Sequence, residues 1–288
     1  MLMQQLVSGL AMGSIYALVA VGFVLIYKAT EVINFAQGEF MMIGAFIAFT
    51  CINFFHIPFL IAIVITLAFM FVFGYVLERI VIRPLVGEAA IAIVLATIGL
   101  GIFIRSVAGM IWSYDTFQFQ AGITDYPVRI ASLSLSSVHL WIIGITLVLV
   151  TFLYFFFSRT KMGISMEATS QNQLAAFLMG IGVKTVFSRI WAISAVVAAV
   201  GGILLTPIHF LNYNMGFIGL RAFPAAVLGG FSSIPGAILG GVIIGVSEAL
   251  AGVYLPSGFK DVFAWIILFV VLMIRPKGIF GIQERTRV

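Results

Sequence analysis

Apolar residues run along this chain in long blocks, at Leu6–Tyr27, Phe59–Leu77, Ala89–Trp112 and Val138–Phe157, with polar residues gathered between them. A helix needs roughly 20 apolar residues to cross the hydrocarbon of a bilayer, so each block predicts a transmembrane helix. The blocks are apolar on every face, whereas a barrel strand alternates polar and apolar positions over about ten residues. The first block has no basic residue before it and is too long for a signal-peptide core, which predicts a retained helix. Further on, Lys184–Thr206 and Phe263–Ile274 predict two more segments. Between them Phe217–Phe231 and Ile234–Val253 predict a hairpin turning at Ser232, Ser233 and Pro235. Its first arm is short and carries Arg221 and Pro224, the pattern of a re-entrant or broken helix. The expected fold is all-α: a polytopic helical membrane protein of about eight or nine transmembrane or re-entrant segments, with residues 1–288 as a single transmembrane domain.

Composition agrees: 62% of the residues are hydrophobic and 9% charged, more apolar surface than a water-soluble core of this length buries. The net charge of +5 does not indicate nucleic acid, because the basic residues are scattered at helix ends with no basic stripe. They report orientation instead. With the N-terminus outside, 11 of the 15 basic residues fall on the cytoplasmic side (Lys28, Arg79, Arg83, Arg159, Lys161, Lys184, Arg189, Arg275, Lys277, Arg285 and Arg287). The positive-inside rule therefore predicts an outside N-terminus and a cytoplasmic C-terminus. The lone Cys51 cannot form an internal disulfide, and His56, His139 and His209 show no metal-ligand spacing.

Three stretches depart from the pattern. "INFAQGEFMMIGAF", from Ile33 to Phe46, places Asn34, Gln37 and Glu39 within six residues, with Gly38 among them. At bilayer depth polar groups must face a cavity, water or a partner. Two readings stand: a broken helix lining a solute pathway, with Asn34 capping a helix from about Phe35, or a turn at the cytoplasmic interface. "SRTKMGISMEATSQNQLAAFLMGIGVK", Ser158–Lys184, predicts a cytoplasmic amphipathic helix, with Leu174, Phe177, Leu178 and Ile181 on one face and an end at Gly180 or Gly182. Its polar face lacks the Lys and Arg of membrane-surface helices, which favours a protein partner. Finally, "AAVLGGFSSIPGAILGGVIIG" is rich in small residues, including Gly229, Gly230, Gly236 and Gly240, a device for close helix packing that Gly9, Gly13 and Ala17 repeat in the first helix.

"GSIYALVAVGFVLIYKATEVINFAQGEFMMIGAF", "AAFLMGI", "AAVLGGFSSIPGAILGG" and "RPKGIFG" together resemble the LivH-type permeases of branched-chain amino acid ABC importers, over about Gly9 to Gly281. The resemblance implies a subunit of the bacterial inner membrane that binds no cofactor itself. It also implies a LivM-like second permease, two cytoplasmic ATP-binding subunits that use the ATP, and an external solute-binding protein. The segment 159–184 is then the coupling element, with Glu167, Ala175, Ala176, Leu178, Met179 and Gly180 at the ATPase contact, and Asn34, Gln37, Gly38 and Glu39 mark the substrate pathway. Two positions depart from the family pattern: Glu167 stands in a tract that often carries arginines, and Gln37 stands where histidine is common. Related importers move branched-chain or other amino acids, urea, short amides and small aromatic acids.

The competing class is a secondary transporter or channel acting alone, whose coupling sites would be intramembrane charges. Glu39, Arg105 and Glu248 are the candidates; Arg105 is expected to snorkel outward. Enzymatic motifs are absent: "MGIGVKT" has Val183 where a phosphate loop needs glycine before the lysine, and neither His-Glu-x-x-His nor Gly-x-Ser-x-Gly occurs.

Overall fold

A computed structural model of the chain describes residues 2–119, 125–130, 133–256 and 259–281. Arg285 and Arg287, counted above for orientation, lie outside the described residues. The centre of the molecule is α1 (Leu2–Thr30), which is buried without interruption from Gly13 to Ile26. A helix apolar on all sides has no reason to face water, and here neighbouring helices cover it all round. Against it pack α2 (Gln37–Phe49), α5 (Ser137–Arg159), α8 (Val183–Leu205) and α11 (Ile234–Tyr254), and outside these stand α3 (Phe59–Leu77), α4 (Ala90–Trp112) and α12 (Phe259–Ile274). A π-helical turn at Thr50–Phe54 extends α2, and π and 3-10 turns carry α3 on to Leu85.

Seven of the described helical stretches are long and apolar enough to cross a membrane, and Met215–Gly229 and Val262–Ile274 are shorter apolar segments. This agrees with the eight or nine membrane segments expected. The re-entrant arm is broken as its Arg221 and Pro224 suggested: α9 (Met215–Leu220) and α10 (Ala222–Gly229) meet at Arg221. In the loop between α4 and α5, β1 (Pro127–Ile130) and β2 (Leu133–Ser136) form an antiparallel hairpin with Pro127 opposite Ser136. A second pairing, Phe117 with Leu211, ties this loop to the segment after α8.

Helix contacts are made where side chains vanish. A Cβ at Gly245 of α11 would overlap the backbone of Gly13 of α1, and one at Gly236 would overlap the Gly229 carbonyl across the α10–α11 hairpin. Gly240 faces Ala225 in the same way, while Gly230, at φ 95°, packs against the backbone of Gly281. That last contact, with the Ile279 N–H donating to Leu228 O at 2.8 Å, pins "RPKGIFG" to the hairpin turn. By contrast the outward faces of α3, α4 and α5 expose Leu60, Val64, Ile91, Leu95, Leu147 and Val148, a surface suited to hydrocarbon and not to water.

Candidate functional site

The polar stretch after α1 is a re-entry of the chain. Glu31, at φ 57°, ends α1 and turns the backbone, and residues 31–36 climb beside the helix they have left before α2 begins at Gln37. Gln37 lies against Gly22 of α1, where a Cβ would overlap its amide. Gly22 is eight residues before Thr30, so α2 starts about 12 Å inside the cytoplasmic end of α1. The segment is thus packed within the bundle beside α1 and not beyond the end of that helix. Asn34 and Gln37 are fully buried and Glu39 is 2% exposed.

Within the re-entry the polar groups satisfy one another. Asn34 Oδ1 accepts from the Ala36 N–H at 3.1 Å and Asn34 Nδ2 donates to Gln37 Oε1 at 3.3 Å. Asn34 thus closes a turn before the helix and does not cap a helix starting at Phe35; the residue before α2 is Ala36. The Ser194 hydroxyl of α8 stands 3.0 Å from both Gln37 Oε1 and Gly22 O, and the Phe35 N–H donates to Thr97 Oγ1 of α4 at 3.2 Å. Two helices, α8 and α4, therefore hold the segment by hydrogen bonds, and Ser194 links it through α8 to α1, as a buried irregular backbone requires.

Glu39, one turn further on, forms an ion pair with Arg105 of α4. The guanidinium turns into the bundle and lies 3.7 Å from the centroid of the Phe217 ring of α9. The outward snorkelling expected of Arg105 does not occur, because an uncompensated carboxylate at this depth would be costlier than drawing the arginine in. Glycine makes room: a Cβ at Gly38 would overlap the Gly216 carbonyl and one at Gly216 would overlap the Glu39 carboxylate. Glu39 Oε2 and Arg105 Nε have no hydrogen-bond partner among the described residues.

Two cavities approach this core from opposite ends. The one at the end of α1 that carries the N-terminus, about 470 Å³, is lined by Gln5, Ser8, Tyr16, His209, Arg221 and Glu248 with apolar neighbours. At its floor the Tyr16 hydroxyl donates to Glu248 Oε2 at 2.8 Å, and Glu248 is 2% exposed. The cytoplasmic one, about 250 Å³, reaches from Glu31 and Glu88 to Trp191. Asn34, Gln37, Gly38 and Glu39 line neither. Tyr16 was not singled out from the sequence; its signal was a phenol in the middle of α1, next to the small residues Gly13 and Ala17.

The segment after α5 is two helices where the hydrophobic pattern predicted one. α6 (Lys161–Gln171) is capped by Thr160, and α7 (Gln173–Leu178) by Asn172, whose Oδ1 accepts from the Ala175 N–H at 2.8 Å. A side chain able to cap its own downstream backbone competes with helix continuation, which the periodicity could not register. α7 ends with the Ile181 N–H donating to Ala176 O and the Gly180 N–H to Phe177 O around Gly180 at φ 83°, a Schellman ending. Leu174, Phe177, Leu178 and Met179 are 69%, 65%, 74% and 83% exposed. Ala175 and Gly180 share that surface, whereas Ala176 is buried and seats α7 on the bundle. Glu167 is engaged within the chain, by Lys28 of α1, and Gln173 Nε2 donates to Ala29 O at 3.2 Å.

A further network, not foreseen, joins α3 to α8 on the same side. Glu78, 1% exposed, accepts from Arg83 Nη2 at 3.0 Å and from the Ser188 hydroxyl.

Residues 5–272 match the model of the branched-chain amino acid transport system permease component family. The chain is 35% identical to the high-affinity branched-chain amino acid transport system permease protein BraD of Pseudomonas aeruginosa, covering 99% of this chain and 98% of that one. It is 33% identical to the corresponding protein LivH of Escherichia coli K12, covering 99% and 97%. Among solved structures, a chain of PsaBC from Streptococcus pneumoniae in complex with Fab has the same fold, with a TM-score of 0.51, 15% identity, and 96% and 93% of the two chains covered.

Proposed function

Since this chain belongs to the branched-chain amino acid permease component family, we propose that it is the membrane-spanning subunit of a bacterial inner-membrane ABC importer for branched-chain or related amino acids. ATP-binding subunits and an external solute-binding protein are its partners, and a LivM-like permease completes the pathway; ATP is bound and hydrolysed by the partner subunits, not by this chain.

The observation that carries this reading is the tip formed by α7. Leu174, Phe177, Leu178 and Met179 point away from the bundle between two basic clusters, Arg159 with Lys161 and Lys184 with Arg189, on the side assigned to the cytoplasm. Apolar side chains there face water and not hydrocarbon, so they call for a protein cover. An ATP-binding subunit is that cover. When the ATPase pair closes, it displaces α7, and the displacement reaches the last turn of α1 through Lys28–Glu167 and Gln173–Ala29. Immediately beyond lies Glu31 and the re-entrant segment with Asn34 and Gln37. Motion at α7 thereby biases the packing at mid-depth, which is the requirement of alternating access. In this reading Asn34, Gln37, Gly38 and Glu39 border the route as its movable wall.

Purification of the chain from its own membrane in mild detergent, with mass spectrometry of what accompanies it, tests the proposal. A second permease and ATP-binding subunits are expected. A chain that purifies alone and moves solute without ATP would refute it.

A further inference from the structure

The outer cavity has a feature that neither packing nor the coupling route uses: opposite charges at its floor, deep within the bundle. Gln5 lines its mouth and Tyr16 its floor, both on α1. Eleven residues of helix separate them, so the cavity descends about 16 Å from the outer end. At the bottom stand Glu248 of α11, bonded to the Tyr16 hydroxyl, and Arg221, beside the same hydroxyl at the break between α9 and α10. Beside them Met12 and Ile218 supply apolar wall, and Val253 lies at the rim.

We propose that this cavity is a binding site for a zwitterionic amino acid, with Arg221 receiving the carboxylate, Glu248 the ammonium group, and Met12 and Ile218 the side chain. The proposal rests on the importer reading and names where, in this subunit, the released solute is first held. Ionisable groups at membrane depth are expensive and face a cavity or one another. A cavity flanked by one group of each sign accepts a ligand that carries both and has no net charge. An anion or a cation alone would meet one attractive and one repulsive group. The volume, about 470 Å³, falls within the roughly 300–1,000 Å³ of small-molecule sites. Arg221 also sits where a helix is interrupted, the place at which transporters commonly build substrate sites.

The test uses the complete importer complex in lipid nanodiscs, without its solute-binding protein, and tritiated L-leucine as the probe. L-Leucine is expected to bind. 4-Methylpentanoate, which lacks the ammonium group, and 3-methylbutylamine, which lacks the carboxylate, should compete at least about tenfold more weakly, as expected for loss of a charged hydrogen-bonded partner. Arg221→Gln and Glu248→Gln should each weaken leucine binding by a similar factor. Val253 is exposed at the rim, so Val253→Trp should obstruct entry without touching the buried groups, which keeps the test valid if the charge variants fail to assemble. Leucine binding unchanged in all assembled variants would overturn the site. If leucine uptake driven by ATP and the binding protein is also unchanged, the importer reading survives that failure. A wild-type complex that neither binds nor imports leucine, isoleucine or valine would sink both.

Discussion

Removal of Arg105 should be far more damaging than removal of its partner Glu39, although the two form one ion pair. The Glu39 side chain is 3% exposed and Arg105 19%. Arg105→Leu strands a carboxylate that cannot reach water, and breaking a buried pair in this way costs about 3–5 kcal/mol. It also deletes the cation over the Phe217 ring, a contact worth about 0.5–2 kcal/mol. Glu39→Leu leaves the arginine, which keeps Phe217 and can extend along its helix toward the interface, so about 1–2 kcal/mol is the expected loss. Glu39→Leu/Arg105→Leu removes both charges and should recover most of the damage, since an apolar pair of similar volume replaces a buried ion pair at little cost. The assay is the thermal inactivation half-life of the detergent-solubilised complex, followed by fluorescence-detected size exclusion, for the four members of the double-mutant cycle. If Arg105→Leu is no less stable than Glu39→Leu, or if the double variant is merely the sum of the singles, α2, α4 and α9 are not held by this pair.

Other consequences concern coupling and packing. Phe177→Asp with Leu178→Asp should abolish co-purification of the ATP-binding subunits while leaving membrane insertion intact, because each buried large apolar side chain contributes about 1.5–3 kcal/mol to such a contact; retained subunits would show the contact is elsewhere. Lys28→Glu or Glu167→Lys should barely change stability, as a half-exposed pair is worth at most about 1 kcal/mol, yet should lower ATP-driven uptake severalfold, and the swapped double variant should restore it. Uptake insensitive to all three would exclude the pair from the relay. Gly22→Leu should block assembly of the re-entrant segment, since its side chain would occupy the space of the Gln37 amide; normal expression and uptake would contradict the placement of Gln37.

The two ends of the bundle follow from one arrangement of polar groups. Between the outer cavity and the cytoplasmic one, Asn34, Gln37, Ser194 and Thr97 fill the interior with hydrogen bonds that link the re-entrant segment to α4 and α8, and α8 to α1. Hydrogen bonds of this kind exchange partners at modest net energy, about 0.5–1.5 kcal/mol each. A ladder of them can therefore re-form in a second packing, which a wholly apolar seam of interlocked side chains would resist.

Much of this was legible in the residues alone. Hydrocarbon thickness sets helix length, so the blocks from Leu6, Phe59, Ala89 and Val138 announced helices that the structure places within a few residues. Arg221 and Pro224 announced a broken arm for the same local reason, a backbone that cannot continue unaided. The amphipathic tip was visible too, because Leu174, Phe177 and Leu178 obey a helical period in a polar setting. What the tertiary structure decided was every pairing across the bundle. Arg105 turns inward because Glu39 of another helix waits there, and Tyr16 meets Glu248 from 232 residues away. Glu167 faces Lys28, and Asn172 divides one predicted helix into two. Local periodicity reports which face of a helix is apolar, but a buried charge or amide is satisfied by whichever group the fold brings beside it, and that choice is made by packing at long range.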